Sequence, residues 1–436
     1  MRASALHDSA PSGGAAPMAD PPFPRGSRVA VIGAGVIGCA AAFRLADEGY
    51  RVVVADPRPP GSECSSGNAG HVMPYGVAPI ALPGTLGRVP HWLSDPLAPF
   101  TVRWSYLPRL APWLARFVAA SAPGRVEAIS RALAALAAHA IPEMVALAKD
   151  AGAEDLLVRQ GLLYVFETDR AWRAAAAEIG LMRRRGVPFE ELEPGALRQI
   201  EPALGPTVTR ALLMPENGHL LSPQGLVARI AEAARAKGVD FLAEEVLDVE
   251  TGPEGPAAVV TETGPKPVDA IVLAAGARGG PLAARLGAPV PLDTERGYHV
   301  MLPAPGIRLR MPFVSGDGGL HVTPMADGLR IAGTVEMAGL DAPPNPARAD
   351  RMLEVGRRLL PGLDEAGATR WMGFRPSMPD SLPVIGLSRL PRVAFAFGHG
   401  HLGMTLSAAT ARLLADIVTG RPPLVDPAPY RPQRFA

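Results

Sequence analysis

The sequence is poor in cysteine, in aromatic residues and in excess charge of either sign. Its 436 residues include 2 cysteines, and aromatic residues make up 5% of the chain. Two cysteines exclude the disulfide framework of a small secreted domain and favour a reducing compartment. The formal net charge is +1, so charge gives no reason to expect a nucleic-acid partner. We therefore predict a cytoplasmic protein that binds no nucleic acid.

Long apolar runs are also missing. The best candidate, ALAALAAHAIPEMVALA, contains His139, Pro142 and Glu143, which does not fit a membrane-spanning helix. The first 25 residues lack the apolar core of a signal peptide, and we predict a disordered leader over 1–25. The aromatic stretch FTVRWSYLPRLAPWLARFV (100–118) has two interpretations: an amphipathic face on a membrane or partner, or a packed helical segment.

The first motif is a glycine turn between a strand and a helix, in RVAVIGAGVIGCAAAFRLADEGYRVVVAD (28–56). Gly33, Gly35 and Gly38 form the pattern GxGxxG, which lets backbone approach a pyrophosphate at a helix N-terminus. Asp56 ends the second strand, where a ribose-binding carboxylate belongs. An acid at this position argues against a 2′-phosphate. The pattern predicts a Rossmann-type dinucleotide-binding unit.

Three further features favour FAD over NAD. The small polar loop SSGNAG (65–70) can pass beneath a flat ring system because small residues let backbone amides come close. The apolar strand in DAIVLAAGA ends at Ala274–Gly276, where backbone would pass near the cofactor. A later strand, 393–397, runs into GHGHLG (398–403) and a helix. A helix N-terminus carries partial positive charge, which suits the anionic pyrimidine edge of a reduced flavin.

The loop GHGHLG carries two histidines, His399 and His401. Two histidines without a nearby carboxylate or cysteine make a poor metal site, so we predict no metal. His401 is predicted at the flavin edge, where it helps to form the substrate pocket, and His399 is predicted to be packed.

Other segments show ordinary secondary-structure signals. SPQGLVARIAEAARAKG predicts a helix with Ser222 as N-cap and Gly238 just after its end. GLLYVFE (161–167) predicts a strand, and apolar residues at helical spacing predict a last helix over about 404–419.

Dinucleotide-type elements stand at the beginning, middle and end of the chain, which predicts two interleaved domains in a mixed α/β (α+β) fold. A Rossmann-type FAD-binding domain would comprise 26–84, 221–285 and 370–425. A smaller substrate-binding domain with an antiparallel sheet would comprise 85–220 and 286–369, and 426–436 would form a tail.

Taken together, GAGVIG with its distant aspartate, SSGNAGHVMPYG, ERGYHVML, GFRPSMPDSLPVIG and GHGHLGMTLSAATARLLADIVTG resemble the FAD-dependent D-amino-acid dehydrogenases. These belong to the glycine oxidase and D-amino-acid oxidase superfamily, and the resemblance covers 26–425. It implies hydride transfer from the α-carbon of a D-amino acid to flavin N5, which gives an imine. The electron acceptor stays open: a dehydrogenase would pass the electrons to a quinone or carrier, and an oxidase to O₂. ERGYHVM and GHGHLGMTL are most similar to members that act on D-proline or cis-4-hydroxy-D-proline.

The resemblance also implies catalytic roles for Arg375, Tyr298 and His401. Arg375, in GFRPSMPD, matches the arginine that binds the substrate carboxylate, as a bidentate guanidinium can. Asp380 is either its structural partner or a turn residue, and an ion pair is the alternative role for the arginine. Tyr298 and His299 alternate on a strand, so only one can face the pocket. We predict that Tyr298 does, with a core tyrosine as the alternative.

The same resemblance implies a set of FAD-binding residues. They are Gly33, Gly35, Val36, Ile37, Gly38, Asp56, Pro57, Arg58, Ser65, Ser66, Asn68, Ala69, Gly70, His71, Val246, Ala274, Ala275, Gly276, Gly400, His401, Leu402, Gly403, Met404 and Thr405. Two other functions stay open: a glycine- or sarcosine-type amine oxidase that produces hydrogen peroxide, and a non-catalytic flavoprotein. A peripheral contact with the inner face of a membrane is open too.

Overall fold

The computed structural model describes residues 21–84, 87 and 89–436, without the side chains of residues 90 and 91. Most of the predicted leader, 1–20, lies outside the described residues. Its end does not fit the prediction, because the Phe23 side chain is fully buried and its N–H donates to the Val418 carbonyl at 3.0 Å.

The α-helices of the described residues follow the amphipathic segments of the sequence. They are α1 (Val36–Asp47), α2 (Val89–Ser94), α3 (Leu107–Ala120), α4 (Pro123–Ala137), α5 (Ala140–Asp150), α6 (Asp169–Ala174), α7 (Ala176–Arg184), α8 (Pro194–Ile200), α9 (Pro223–Ala236), α10 (Gly280–Arg285), α11 (Ala347–Leu359) and α12 (Gly403–Thr419).

The strands of the same residues are β1 (Arg28–Ile32), β2 (Arg51–Ala55), β3 (His71–Val72), β4 (Phe100–Val102), β5 (Leu157–Val158), β6 (Leu162–Phe166), β7 (Glu190–Leu192), β8 (Arg210–Met214), β9 (Gly218–Leu220), β10 (Asp240–Leu242), β11 (Val246–Gly252), β12 (Gly255–Thr261), β13 (Gly264–Pro267), β14 (Ala270–Leu273), β15 (Asp293–Leu302), β16 (Phe313–Ser315), β17 (Leu320–Met325), β18 (Gly328–Met337), β19 (Thr369–Ser377), β20 (Val384–Leu387) and β21 (Val393–Phe397).

The first large sheet is the Rossmann-type layer. Its strand order is β10-β2-β1-β14-β21-β20, and all neighbours are parallel except β20 and β21. Its central strands are apolar and buried, as a parallel sheet covered on both faces requires. Its strands come from the beginning, middle and end of the chain, so the predicted interleaved α/β fold is confirmed.

The second large sheet carries the other half of the molecule. Its order is β19-β15-β18-β17-β16-β6-β8-β7, with β4 also paired to β18. Most neighbours are antiparallel, and the β16–β6 and β18–β4 pairs are parallel. With nine strands it is larger than the six-stranded Rossmann-type sheet. β19 pairs with β15 along its whole length, so the chain changes sheet after Ser377 and not at 370.

A bulge interrupts the pairing of β15 with β18. Arg296 is opposite Glu336 and Tyr298 is opposite Gly333, so β18 has an extra residue at this point. Thr334, within the bulge, has a φ of 57°, a left-handed conformation that costs a threonine energy. The bulge lies at the cavity described below.

Apolar segments outside the sheets differ in how far they are buried. Pro123–Asp150 and Gly400–Thr419 are long and apolar enough to cross a membrane by length and composition, and 44% of the first and 72% of the second is buried within the protein. In the aromatic stretch, Trp113 and Phe117 are buried and Trp104 is 66% exposed. The predicted tail also packs, because Tyr430 is buried.

Candidate active site

A cavity of about 600 Å³ is lined by both large sheets and collects most of the predicted site. Arg375 lines it, as do these predicted cofactor residues: Gly33, Gly35, Val36, Ile37, Asp56, Arg58, Ser65, Asn68, Ala69, Gly70, His71, Ala274, Ala275, Gly276, Gly400, His401, Leu402, Gly403 and Met404. Gly38, Pro57, Ser66, Val246, Thr405 and Tyr298 lie outside its wall.

The glycines of the turn have two roles: two allow close packing of the backbone, and one leaves room for a ligand. A Cβ on Gly33 would lie 2.6 Å from the Ala274 carbonyl oxygen, and one on Gly38 would lie 1.9 Å from the Gly33 carbonyl oxygen. These two glycines let turn, helix and strand pack together. A Cβ on Gly35 would meet only the Ser65 Oγ, at 3.4 Å, and Gly35 lines the cavity. Gly35 at the N-terminus of α1 therefore offers the approach that a pyrophosphate needs.

Asp56 fixes this turn by accepting two backbone hydrogen bonds. Its Oδ2 accepts the Ala34 N–H at 2.9 Å and its Oδ1 accepts the Arg58 N–H at 3.0 Å. Each carboxylate oxygen keeps a further acceptor site, and the residue lines the cavity. Asp56 can therefore accept a ribose hydroxyl while it fixes the loop.

The polar loop 65–70 is held by its own asparagine. Asn68 Nδ2 donates to the Ser65 carbonyl at 2.6 Å, and Asn68 Oδ1 accepts the Gly70 N–H at 2.6 Å. Ser65 Oγ also accepts the Val36 N–H at 3.0 Å, which joins this loop to the start of α1. Asn68 shapes the cofactor wall as well as lining it.

The second sheet supports the same loop from the other side. Arg330, which is 8% exposed, donates from Nη1 to the Ser66 and Asn68 carbonyls at 2.8 and 2.7 Å. His299 Nδ1 lies 2.9 Å from the Gly67 carbonyl oxygen, and the Trp371 ring stacks on His299 with centroids 5.0 Å apart. Sequence reasoning missed Arg330 and Trp371, because no local pattern ties either one to the loop.

The far end of the cavity is built from two more glycine turns. Gly276 and Gly400 have φ values of 56° and 52°, and a Cβ on either would meet no protein atom within 4 Å. Both open onto the cavity, and no side chain caps the start of α12. The cavity thus leads from one helix N-terminus to another. Its shape and its backbone donors fit FAD.

Arg375 is positioned by the bulge. Its Nη1 donates to the Thr334 carbonyl at 2.9 Å, and its guanidinium covers Gly297, where a Cβ would lie 2.2 Å from Cζ. Asp380 is not its partner, because it pairs with Arg434 at 2.8 Å. Within 21–84, 87 and 89–436 no carboxylate forms an ion pair with Arg375, so its charge is available to a ligand.

Next to this arginine, His401 contacts a carboxylate that sequence reasoning missed. His401 Nε2 lies 2.5 Å from Glu295 Oε2, and Ser377 Oγ donates to Glu295 Oε1 at 2.6 Å. Glu295 is fully buried. Burial opposes its ionisation, but His401, Ser377 and Arg375 hold its pKa below the usual value. If His299 is assigned to the cavity side of this strand, alternation along ERGYHVML places Glu295 on the same side.

The prediction for Tyr298 is wrong. Its hydroxyl donates to Glu336 Oε2 at 2.6 Å and accepts the Asn345 N–H at 3.0 Å, and it is 3% exposed. Strand alternation places Glu295, Gly297 and His299 on one face of β15, where Gly297 lines the cavity, and turns Tyr298 to the core of the second sheet. The alternative, a core tyrosine, is what the structure shows.

Two neutral histidines, His71 and His321, line the cavity. His71 Nδ1 lies 3.2 Å from His321 Nδ1, and His71 Nε2 lies 2.7 Å from Thr323 Oγ1. Burial lowers the pKa of His71 well below 6.5. Burial, with His401 and Arg375, lowers the pKa of His321 to about 3. The pair can therefore act as a polar but uncharged wall.

His399 is a packed part of the cavity wall, and Thr405 supports that wall from outside it. His399 Nε2 lies 2.9 Å from Thr410 Oγ1, and burial lowers its pKa to about 3, so it is packed as predicted. Thr405 Oγ1 donates to the His71 carbonyl at 3.1 Å and accepts the Met73 N–H. In the described part of the chain no group of three or more metal-ligating side chains is arranged to hold a metal ion.

The cavity, with a pyrophosphate turn at one end and an unpaired arginine at the other, is that of a flavin-dependent oxidoreductase. Comparison with known families agrees: the model of the family "FAD dependent oxidoreductase" matches residues 28–417, and the chain belongs to that family. The predictions of an enzyme and of FAD as its cofactor are thereby confirmed.

Similar proteins cover nearly the whole chain. It is 39% identical over 427 residues to a D-amino-acid oxidase of Bradyrhizobium diazoefficiens, across 95% of this chain and 100% of that protein. It is 34% identical over 410 residues to a D-amino acid dehydrogenase of Paramagnetospirillum magneticum, across 91% and 96%. The crystal structure of glycine oxidase from Geobacillus kaustophilus has a TM-score of 0.74 and 25% identity, and covers 94% of this chain and 100% of that one.

Proposed function

We propose that this protein oxidises a D-amino acid with FAD and passes the electrons to a quinone or carrier, as a D-amino-acid dehydrogenase does. The observation that carries the proposal is Arg375, a cavity-lining guanidinium without a carboxylate partner in the described residues, beside the GHGHLG turn. The names of the two similar proteins, a D-amino-acid oxidase and a D-amino acid dehydrogenase, support it.

Arg375 binds the substrate carboxylate in this proposal. The Thr334 carbonyl fixes one guanidinium nitrogen, and the absence of a side chain on Gly297 leaves room for the group to lie flat. The remaining N–H groups can pair with a carboxylate in bidentate fashion. This contact orients the α-carbon for hydride transfer.

His401 and Glu295 serve the substrate amine. The His401 side chain is 37% exposed and the Glu295 side chain is fully buried, so the imidazole lies between the cavity and a fixed negative charge. It can take a proton from the substrate ammonium, and Glu295 stabilises the imidazolium that results. FAD held along the glycine turns would supply the acceptor for the hydride of an α-carbon that Arg375 orients. The imine leaves and hydrolyses to a 2-oxo acid, and a cyclic substrate leaves as a pyrroline-2-carboxylate.

The finer substrate assignment, D-proline or cis-4-hydroxy-D-proline, rests on the motifs ERGYHVM and GHGHLGMTL and stays a prediction. An amine oxidase that makes hydrogen peroxide is the second candidate, because the similar protein of Bradyrhizobium is named an oxidase.

The test is anaerobic bleaching of the purified yellow protein by paired D- and L-amino acids, followed by air. We expect D-enantiomers to bleach the flavin and L-enantiomers to leave it oxidised. A protein that no D-amino acid bleaches would contradict the proposal. Peroxide formed at the rate of substrate loss would favour the oxidase over the dehydrogenase.

A further inference from the structure

The substrate half of the cavity ends at a carboxylate that the reaction does not use. Tyr164 on β6 and Glu178 on α7 both line the cavity. Tyr164 donates its hydroxyl hydrogen to Glu178 Oε2 at 3.1 Å. Among the described residues, no lysine, arginine or histidine forms an ion pair with Glu178. The carboxylate therefore has a hydrogen-bond donor but no counter-charge.

Sheet register connects this carboxylate to the reaction centre. His321 on β17 is opposite Val314 on β16, and Val314 is opposite Tyr164 on β6. The three residues form one row across neighbouring strands, and all three line the cavity. Two strand spacings separate the first from the last, or about 10 Å. Because His321 lies beside Arg375, a ligand anchored on Arg375 can extend along this row.

The walls between these two ends are apolar. Tyr75, Val314 and Leu402 line the cavity and belong to one hydrophobic cluster with Tyr164, the partner of Glu178. An apolar passage that ends in a carboxylate matches a side chain with an aliphatic stem and a terminal cation.

We propose that Tyr164 and Glu178 form a side-chain subsite that selects D-amino acids with a terminal cation on an aliphatic chain, of the D-arginine and D-lysine type. This rests on the proposed function, because the ligand must be held by its carboxylate on Arg375. Glu178 pairs with the cation, and Tyr164 keeps one carboxylate oxygen in place. The burial that raises the pKa of Glu178 also strengthens its attraction for a cation that enters.

The test compares flavin bleaching by D-arginine with bleaching by D-citrulline, its neutral analogue, and by D-norleucine. In the wild-type protein we expect the ratio of bleaching rate constant to Kd to be highest for D-arginine. Glu178→Gln should lower that ratio for D-arginine about 10- to 100-fold, the size of a charge-assisted hydrogen bond. It should leave D-citrulline and D-norleucine nearly unchanged. Glu191→Gln, at an exposed carboxylate paired with Arg183, is the control and should change nothing.

Each of the other outcomes would contradict either the subsite or the proposed function. Equal losses for all three substrates in Glu178→Gln would show a structural role and overturn the subsite. A wild-type preference for D-proline or D-norleucine would overturn it too, while the D-amino-acid function stands. If no D-amino acid bleaches the flavin, the proposed function fails first. If Glu178→Gln does not fold, Tyr164→Phe replaces it, and loss of activity on every substrate there would overturn the subsite.

Discussion

The two halves of the cavity differ in whether backbone or side chains form them. The dinucleotide half uses backbone: Gly33, Gly35 and Gly38 shape one turn, and Gly400 begins another. The substrate half, which in our proposal holds the amino acid, uses side chains from several strands of the second sheet, among them Arg375 on β19 and Glu295, beneath His401, on β15. A backbone site needs a short local pattern, whereas a side-chain site needs the correct register between distant strands. The two halves should therefore respond differently to substitution.

The largest effect should come from the turn. Gly38→Ala places a Cβ 1.9 Å from the Gly33 carbonyl oxygen, and relief of that overlap should cost about 3 kcal/mol or more of stability. We expect little folded yellow protein, measured by flavin absorbance and urea unfolding. Gly35→Ala should fold but bind FAD more weakly. Gly124→Ala, where a Cβ meets nothing, is the helical control. If Gly38→Ala folds with full FAD content, the packing role of Gly38 is wrong.

A substitution in the substrate half should lower the activity but leave FAD, and so the yellow colour, in place. Arg375→Met removes the carboxylate contact, and we expect kcat/KM to fall about 100- to 1000-fold with FAD content unchanged. Arg370→Met is the control on the same strand, since Arg370 is exposed and pairs with Asp350. Loss of FAD in Arg375→Met would mean that the arginine holds the cofactor or the fold.

Buried histidines should make stability depend on pH. Burial lowers the pKa of His299 and His219 to about 4 and that of His321 and His399 to about 3. The unfolded chain takes up these protons below pH 6.5 and the folded one does not. Stability should therefore be complete above 6.5 and fall as pH drops, by about 1.4 kcal/mol per pH unit for each proton. Urea unfolding at pH 7 and 5 measures this, and equal midpoints would contradict it.

Glu295 should affect rate more than binding. Glu295→Gln keeps the shape but removes the negative charge beneath His401. We expect the rate constant of flavin bleaching to fall about 10- to 100-fold. The rising part of its pH profile should move to lower pH, and Glu295→Asp should restore both properties. An unchanged pH profile would show that the carboxylate only supports the fold.

The smallest effect should follow from Tyr298→Phe. Loss of the hydroxyl removes one contact with Glu336 and one with the Asn345 N–H, which should cost about 1–2 kcal/mol of stability. Because the ring faces away from the cavity, kcat/KM should stay within about twofold. A large loss of activity would show that Tyr298 contributes to the substrate site.

Much of the fold follows from local patterns. Ser222 caps α9 as predicted, accepting the Gly225 N–H at 3.1 Å. The predicted strand within 161–167 and the last helix appear as β6 and α12. These elements are set by apolar periodicity, caps and turn residues close in sequence. The orientation of β15 does not follow from such a pattern: Tyr298, predicted in the pocket, pairs with Glu336 in the core, and Glu295 pairs with His401.

The sequence by itself determined the glycine turn, the acid that supports it, the FAD cofactor and an arginine in the cavity wall, because each rests on a short motif. Only the tertiary structure decided which face of β15 meets the cavity, that Glu295 lies under His401, and that Glu178 lines the same cavity as Arg375. Those contacts join residues 106 positions apart, in the case of His401 and Glu295, or depend on the bulge at Thr334. Strand register and a single inserted residue set them, and neither leaves a local pattern in the chain.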